Sequence, residues 1–166
     1  MAGFPYLTTL DAIVGVLNAA NTTTAAAYLS SGLSTTVQMV RDDDPEIVNL
    51  AKMKMPAVFV RINTKDSEFS SLGDTGPSRN RRESFVTWDV IGIIQKIGIL
   101  NTQKSLLRSV YQLAQNIESV FENNVTLSGT ALWCDPNATT FSEPVARETV
   151  VFKGCKITLK SKHLYR

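Results

Sequence analysis

Apolar side chains recur at alternating spacings of three and four along residues 101–124, at Leu106, Val110, Leu113, Ile117 and Val120, with Leu107, Ala114 and Phe121 widening the stripe. The pattern predicts an amphipathic helix. Asn101 or Thr102 offers an N-cap oxygen, no proline interrupts the run, and Asn123-Asn124 can end it in the left-handed conformation that asparagine tolerates. A stripe this wide needs an apolar surface beneath it, and two long runs of period two supply one. Over 83–97, Val86, Trp88, Val90 and Ile94 share one face, while Phe85, Ile91 and Ile93 share the other with Thr87 and Asp89. Over 147–162, Ile157 and Leu159 alternate with Lys156, Lys160 and Lys162. Shorter strand patterns fall at 35–40, at 56–62 behind Pro56, and at 130–135. Leu10, Ile13, Val14 and Leu17 predict a helix over 8–20, with Thr8 and Asp11 spaced as a capping box.

The intervening stretches are punctuated differently. Residues 21–34 are rich in Thr, Ala and Ser and read as a connection with some helix at 25–29. Asp42, Asp43 and Asp44 before Pro45 suit the start of a short helix better than a cation site, which needs alternating oxygen donors around a turn. From 63 to 82 the apolar pattern lapses, which predicts a long mobile loop ending in the densest basic cluster of the chain, Arg79, Arg81 and Arg82. Residues 136–144 read as a further loop, and Gly154 as a bulge. Fourteen or so strand residues at about 3.3 Å each outrun a typical sheet, so part of the hairpin is expected to project or to pair outside the monomer. The expected fold is α+β: one domain over 1–166, with a mostly antiparallel sheet, a long hairpin and amphipathic helices packed against it.

Charge changes this picture in one place. Lys104 and Arg108 lie in the first turns of the 101–124 helix, and Glu118 and Glu122 in the last, so both pairs oppose the macrodipole. They are candidate subunit-interface charges, against the plainer reading that the packed face overrides them. Seventeen basic against fifteen acidic side chains give +2, too balanced to argue for nucleic-acid binding from net charge.

Candidate chemistry is sparse. His163 is the only histidine, expected at the surface, and Cys134 and Cys155 are the only cysteines, expected as free core residues of a reducing compartment. No zinc spacing, phosphate loop or dinucleotide fingerprint occurs, so no catalytic residue, metal or cofactor is assigned. No run is apolar and long enough to span a bilayer.

The order of elements, with Met55-Pro56-Ala57-Val58-Phe59-Val60, the polar loop, Ser84-Phe85-Val86-Thr87-Trp88-Asp89-Val90-Ile91-Gly92-Ile93 leading into the helix, and the closing strand 149–159, resembles the tail terminator proteins of long-tailed bacteriophages, the phage lambda tail terminator family. The resemblance covers most of the chain and rests on element order and a loose motif. It implies a non-enzymatic virion protein, made in the host cytoplasm, that forms a six-membered ring at the junction of tail and neck. Such a ring ends polymerisation of the tail tube protein and presents a surface to the neck or connector protein. The connection 22–54 is longer than the family pattern and is a candidate contact for a sheath or neck partner. DNA passing through the lumen without sequence-specific binding would favour basic residues, with Arg79, Arg81, Arg82, Lys156, Lys160 and Lys162 as candidates. Two alternatives stand beside this: another ring or adaptor of the neck, and a small nucleic-acid-binding module. The second is disfavoured because few aromatics interleave with the lysines along the chain, Phe152 being the nearest.

Overall fold

A computed structural model describes residues 4–46, 49–69, 82–97, 102–147 and 149–165. The elements are α1 (Tyr6–Ala20), β1 (Met39–Arg41), a 3-10 turn (Leu50–Lys52), β2 (Ala57–Phe69), β3 (Arg82–Ile97), α2 (Thr102–Glu122), β4 (Trp133–Phe141), β5 (Val145–Arg147) and β6 (Val150–Tyr165). The strands form one sheet in the order β1-β2-β3-β6-β4, with β5 also on β6. All pairings are antiparallel except β1 with β2. This is an α+β fold of one domain, with both helices on one face of the sheet.

Period two on the strands and period 3.6 on the helices meet in one core. Val58 and Val60 of β2, Val86, Trp88 and Val90 of β3, and Ile157 and Leu159 of β6 all turn to the helix side. There they pack against Leu106, Val110, Leu113, Ile117, Val120 and Phe121 of α2 and Ile13 and Leu17 of α1. Leu106, Leu113 and Ile117 are fully buried, as the wide stripe required. Contact is closest at Gly92, where a Cβ would stand 2.7 Å from Leu113 Cδ2 and 3.0 Å from Cys155 Sγ.

Several boundaries differ from the sequence expectation, each for a local reason. Helix α1 starts at Tyr6 with no side-chain cap, so Thr8 and Asp11 form no capping box; instead Thr9 Oγ1 donates to the Pro5 carbonyl at 3.1 Å. Helix α2 ends where predicted, but neither Asn123 nor Asn124 adopts a positive φ. Their amides donate to the Ser119 and Val120 carbonyls, and the left-handed residues come later, at Leu127, Ser128 and Gly129. Residues 25–29 form turns and bends, not helix. Asp42, Asp43 and Asp44 start no helix either. Asp44 accepts the Glu46 backbone N–H and the Arg61 guanidinium, which makes a turn stapled to β2.

The expected loop 63–82 begins too early. Residues 63–69 continue β2 beyond a register shift between Ile62 and Thr64, held by pairing with β3 despite the polar sequence of 63–68, and 70–81 lie outside the described residues. Likewise 136–144 is not one loop. Strand β4 runs through it to Phe141, with Pro136 at a register shift on an edge strand, where its missing N–H costs no ladder bond. The strand expected at 35–40 is shorter and shifted toward the C-terminus, as β1 at Met39–Arg41. Gly154 makes no bulge, because β3 and β6 stay in unbroken register from Arg82↔Tyr165 to Ile97↔Val150. What changes near Gly154 is the other neighbour of β6, from β4 to β5, with Ser142 Oγ accepting the Gly154 N–H at 2.9 Å.

Candidate assembly surfaces

The hairpin does not project alone. Strand β3 pairs with β6 along its whole length and is central to the sheet, so the length that suggested an outside partner is absorbed by an equally long β6. The open edges lie elsewhere. Strand β1 covers only Ala57–Phe59 of β2, leaving the outer edge of β2 beyond Phe59 without a strand neighbour among the described residues, and β4 and β5 form the opposite edge.

The sheet face away from the helices divides into three zones. At one end Met55, Ala57, Phe59, Ile93 and Phe152 form a small second core, packed by Met39, Leu50 and Met53. Part of the long 22–54 connection is thus spent on covering the protein's own sheet. In the middle, Arg61 Nε approaches Asp89 Oδ2 at 3.4 Å and Arg61 Nη1 bonds Asp44 Oδ2 at 2.7 Å, while Asn63 Nδ2 donates to Asp89 Oδ1 at 3.0 Å. The Glu46 N–H and Arg61 together hold the Asp44 carboxyl below its ordinary pKa, and Asp44 raises that of Arg61. Beside this cluster a groove of about 410 Å³ opens between Pro45, Glu46 and Leu50 on one side and Phe141 and Val145 on the other, with Ile93 and Phe152 among its lining and Lys156 and Arg147 at its side.

The third zone gathers aromatic and basic groups that the linear sequence keeps apart. Phe85 of β3 lies opposite Lys162 of β6, which lies opposite Trp133 of β4. Lys160 Nζ and Lys162 Nζ stand 5.3 and 5.4 Å from the Phe85 ring centroid, and the Trp133 ring lies 6.3 Å from Phe85. Lysines and aromatics do interleave here, across strands and not along one, which corrects the sequence expectation. Lys162 is also paired with Glu83 at 2.9 Å, and Asp135 is the register partner of Lys160, so the zone is less cationic than its lysines suggest. Lys156 lies at a distance, on the groove. Arg82 begins β3 at the same end as Lys162, whereas Arg79 and Arg81 lie outside the described residues.

The four helix charges separate into two kinds. Lys104 and Arg108 are exposed, as is Glu122, but Glu118 is half-buried and accepts the Thr139 hydroxyl of β4. Glu118 therefore has a role within the chain.

His163 is buried, not superficial. Its Nδ1 faces the Thr130 carbonyl at 3.2 Å, which can only accept, so Nδ1 carries the proton and Nε2 accepts from Ser161 Oγ at 2.8 Å. Ser161 Oγ accepts in turn from Trp88 Nε1 at 3.1 Å, and Phe4 meets the imidazole edge-on at 5.0 Å. Burial lowers the His163 pKa, partly offset by the Thr130 bond. Ser161 is fully buried, so this Ser-His pair meets no substrate. Both cysteines are free and buried, and burial pushes each thiol up to about 12, which leaves no thiolate for nucleophilic work. Among the described residues no group of three or more His, Cys, Asp and Glu could hold a metal ion, and no helix is long and apolar enough to cross a membrane. No protein-family model matches the chain, and no match emerges among curated proteins.

Proposed function

We propose that this chain is an assembly protein that works through its surfaces, and within that class a phage tail terminator. On this reading it forms a homomeric ring, of six copies by the resemblance, on the head-proximal end of the tail tube. The ring ends tube polymerisation and offers its other side to the neck or connector protein. Its place is the tail–neck junction of the virion. The observation that carries the proposal is a sheet with two unlike outer edges that have no strand neighbour among the described residues, β2 beyond Phe59 and the β4–β5 edge after Cys134, whose N–H is held by the Val125 carbonyl. Open edges invite pairing with other chains, and joining unlike edges head to tail leaves none free once the circle closes. DNA in transit would pass the ring without base readout, and Lys160 and Lys162 are the described lysines suited to face it.

The test is capping. Added to polymerising tail tube protein, the ring should bind one end only and stop elongation; uninterrupted growth with no bound ring would refute the proposal. A ring that binds the neck protein and ignores the tube would identify a neck adaptor.

The zone of Phe85, Trp133, Lys160 and Lys162 favours a second reading, a single-strand nucleic-acid surface, because stacked bases and phosphates need aromatic and basic groups side by side. Retention of short single-stranded DNA at moderate salt, with a steep salt slope abolished by Phe85→Ala, would establish it.

A further inference from the structure

Exposed apolar side chains lie at both outer edges of the sheet. At the β4–β5 end, Phe141 and Val145 are 43% and 51% exposed, and Tyr111 of α2 stacks edge-on against Phe141 at 4.8 Å. At the other end Leu7, in the first turn of α1, is 74% exposed, and Ile62 of β2 is 43% exposed. Lys65 of β2 lies over the Tyr6 ring at 5.5 Å, which places this turn of α1 beside β2. Apolar side chains exposed beside a strand edge that lacks a strand neighbour suit a contact with another chain.

The described charges lean to opposite signs at the two edges. Among the described residues Arg108, Arg147 and Lys156 line or flank the Phe141–Val145 edge, against two exposed acids, Glu46 and Glu143. Asp11, Asp42 and Asp66 are exposed along α1, after β1 and on β2, where Lys65 is the positive charge beside Tyr6 and Arg41 and Arg61 are paired to Asp43 and Asp44. Complementary potentials of this kind orient two surfaces and reject like-with-like contact.

We propose that copies of this chain join head to tail, the β4–β5 edge with Tyr111, Phe141 and Val145 seating against the α1–β2 edge with Leu7 and Ile62 of the next copy. The proposal rests on the ring reading above and assigns the surfaces that close the ring. Because the two surfaces differ and lie at opposite ends of one sheet, the contact is heterologous and every copy uses both.

The test uses two full-length variants that block one end each, Val145→Glu/Arg147→Glu by like charge against the acidic edge and Leu7→Trp by bulk at an exposed position. At a concentration where the parent is ring, each alone should be monomeric with a parental melting temperature. Mixed in equal amounts, they retain one intact pair of surfaces and should give dimers but no ring, read by mass in solution after cross-linking. A mixture that stays monomeric overturns head-to-tail pairing, and a variant that closes rings like the parent overturns the assigned surface while leaving the ring itself standing. A parent that forms no closed oligomer overturns the ring reading and this inference with it.

Discussion

Gly92 is where α2 comes closest to the sheet, and its missing side chain is what permits the approach. Gly92→Ala should cost about 1 to 3 kcal/mol by overpacking Leu113 and Cys155. Leu113→Ala alone should cost about 2 to 5 kcal/mol. The double variant should lose less than the sum, since the small residue at 113 removes the clash; additive losses in denaturant melts would show that the contact is not shared. His163 gives a residue-scale prediction in pH. Its folded pKa lies below the unfolded value of about 6.5, so the stability it confers is complete above that pH and is lost as pH falls from there through the folded pKa. Melting temperature should decline on acidification across this window, and His163→Gln should flatten that part of the curve. An unchanged curve would mean that another group sets the acid response.

At the scale of elements, α2 is tied to more than its apolar stripe. Asn116, buried on α2, donates to the Leu29 and Ser31 carbonyls at 2.9 and 2.8 Å and accepts from Gln112, which anchors the connection after α1. Asn116→Leu should cost about 1 to 3 kcal/mol for carbonyls left unpaired, and hydrogen exchange should quicken around residues 29–37. Exchange at the parental rate would show that this bond does not hold the connection. The stripe itself was legible because burial of α2 follows periodicity alone, and β3 and β6 were legible because alternation suffices for strands covered on one face. Asn116 was not, since a polar residue beside a helical stripe gives no sign of carbonyls 85 or more positions away. The strand status of 63–69 was hidden for a related reason: those residues are held by backbone pairing, which polar side chains do not advertise. The Phe85–Lys162–Trp133 row was invisible because register between strands brings it together, and spacing along the chain does not encode register. His163 misled because neighbouring Lys162 points to the opposite face of β6.

At the scale of the whole molecule, the fold offers one thick, well-packed face and one sheet face only partly covered, bounded by two unlike edges without a full-length strand neighbour among the described residues. On the proposed reading these edges are where copies join. The central claim is that it closes into a ring that caps a tube, and the most direct measurement is the mass of the purified protein in solution together with negative-stain images, alone and with tail tubes. The account predicts a single closed oligomer of six copies, seen as a ring alone and at one end of each tube. A protein that stays monomeric at every concentration, and leaves both ends of the tubes bare, would contradict it.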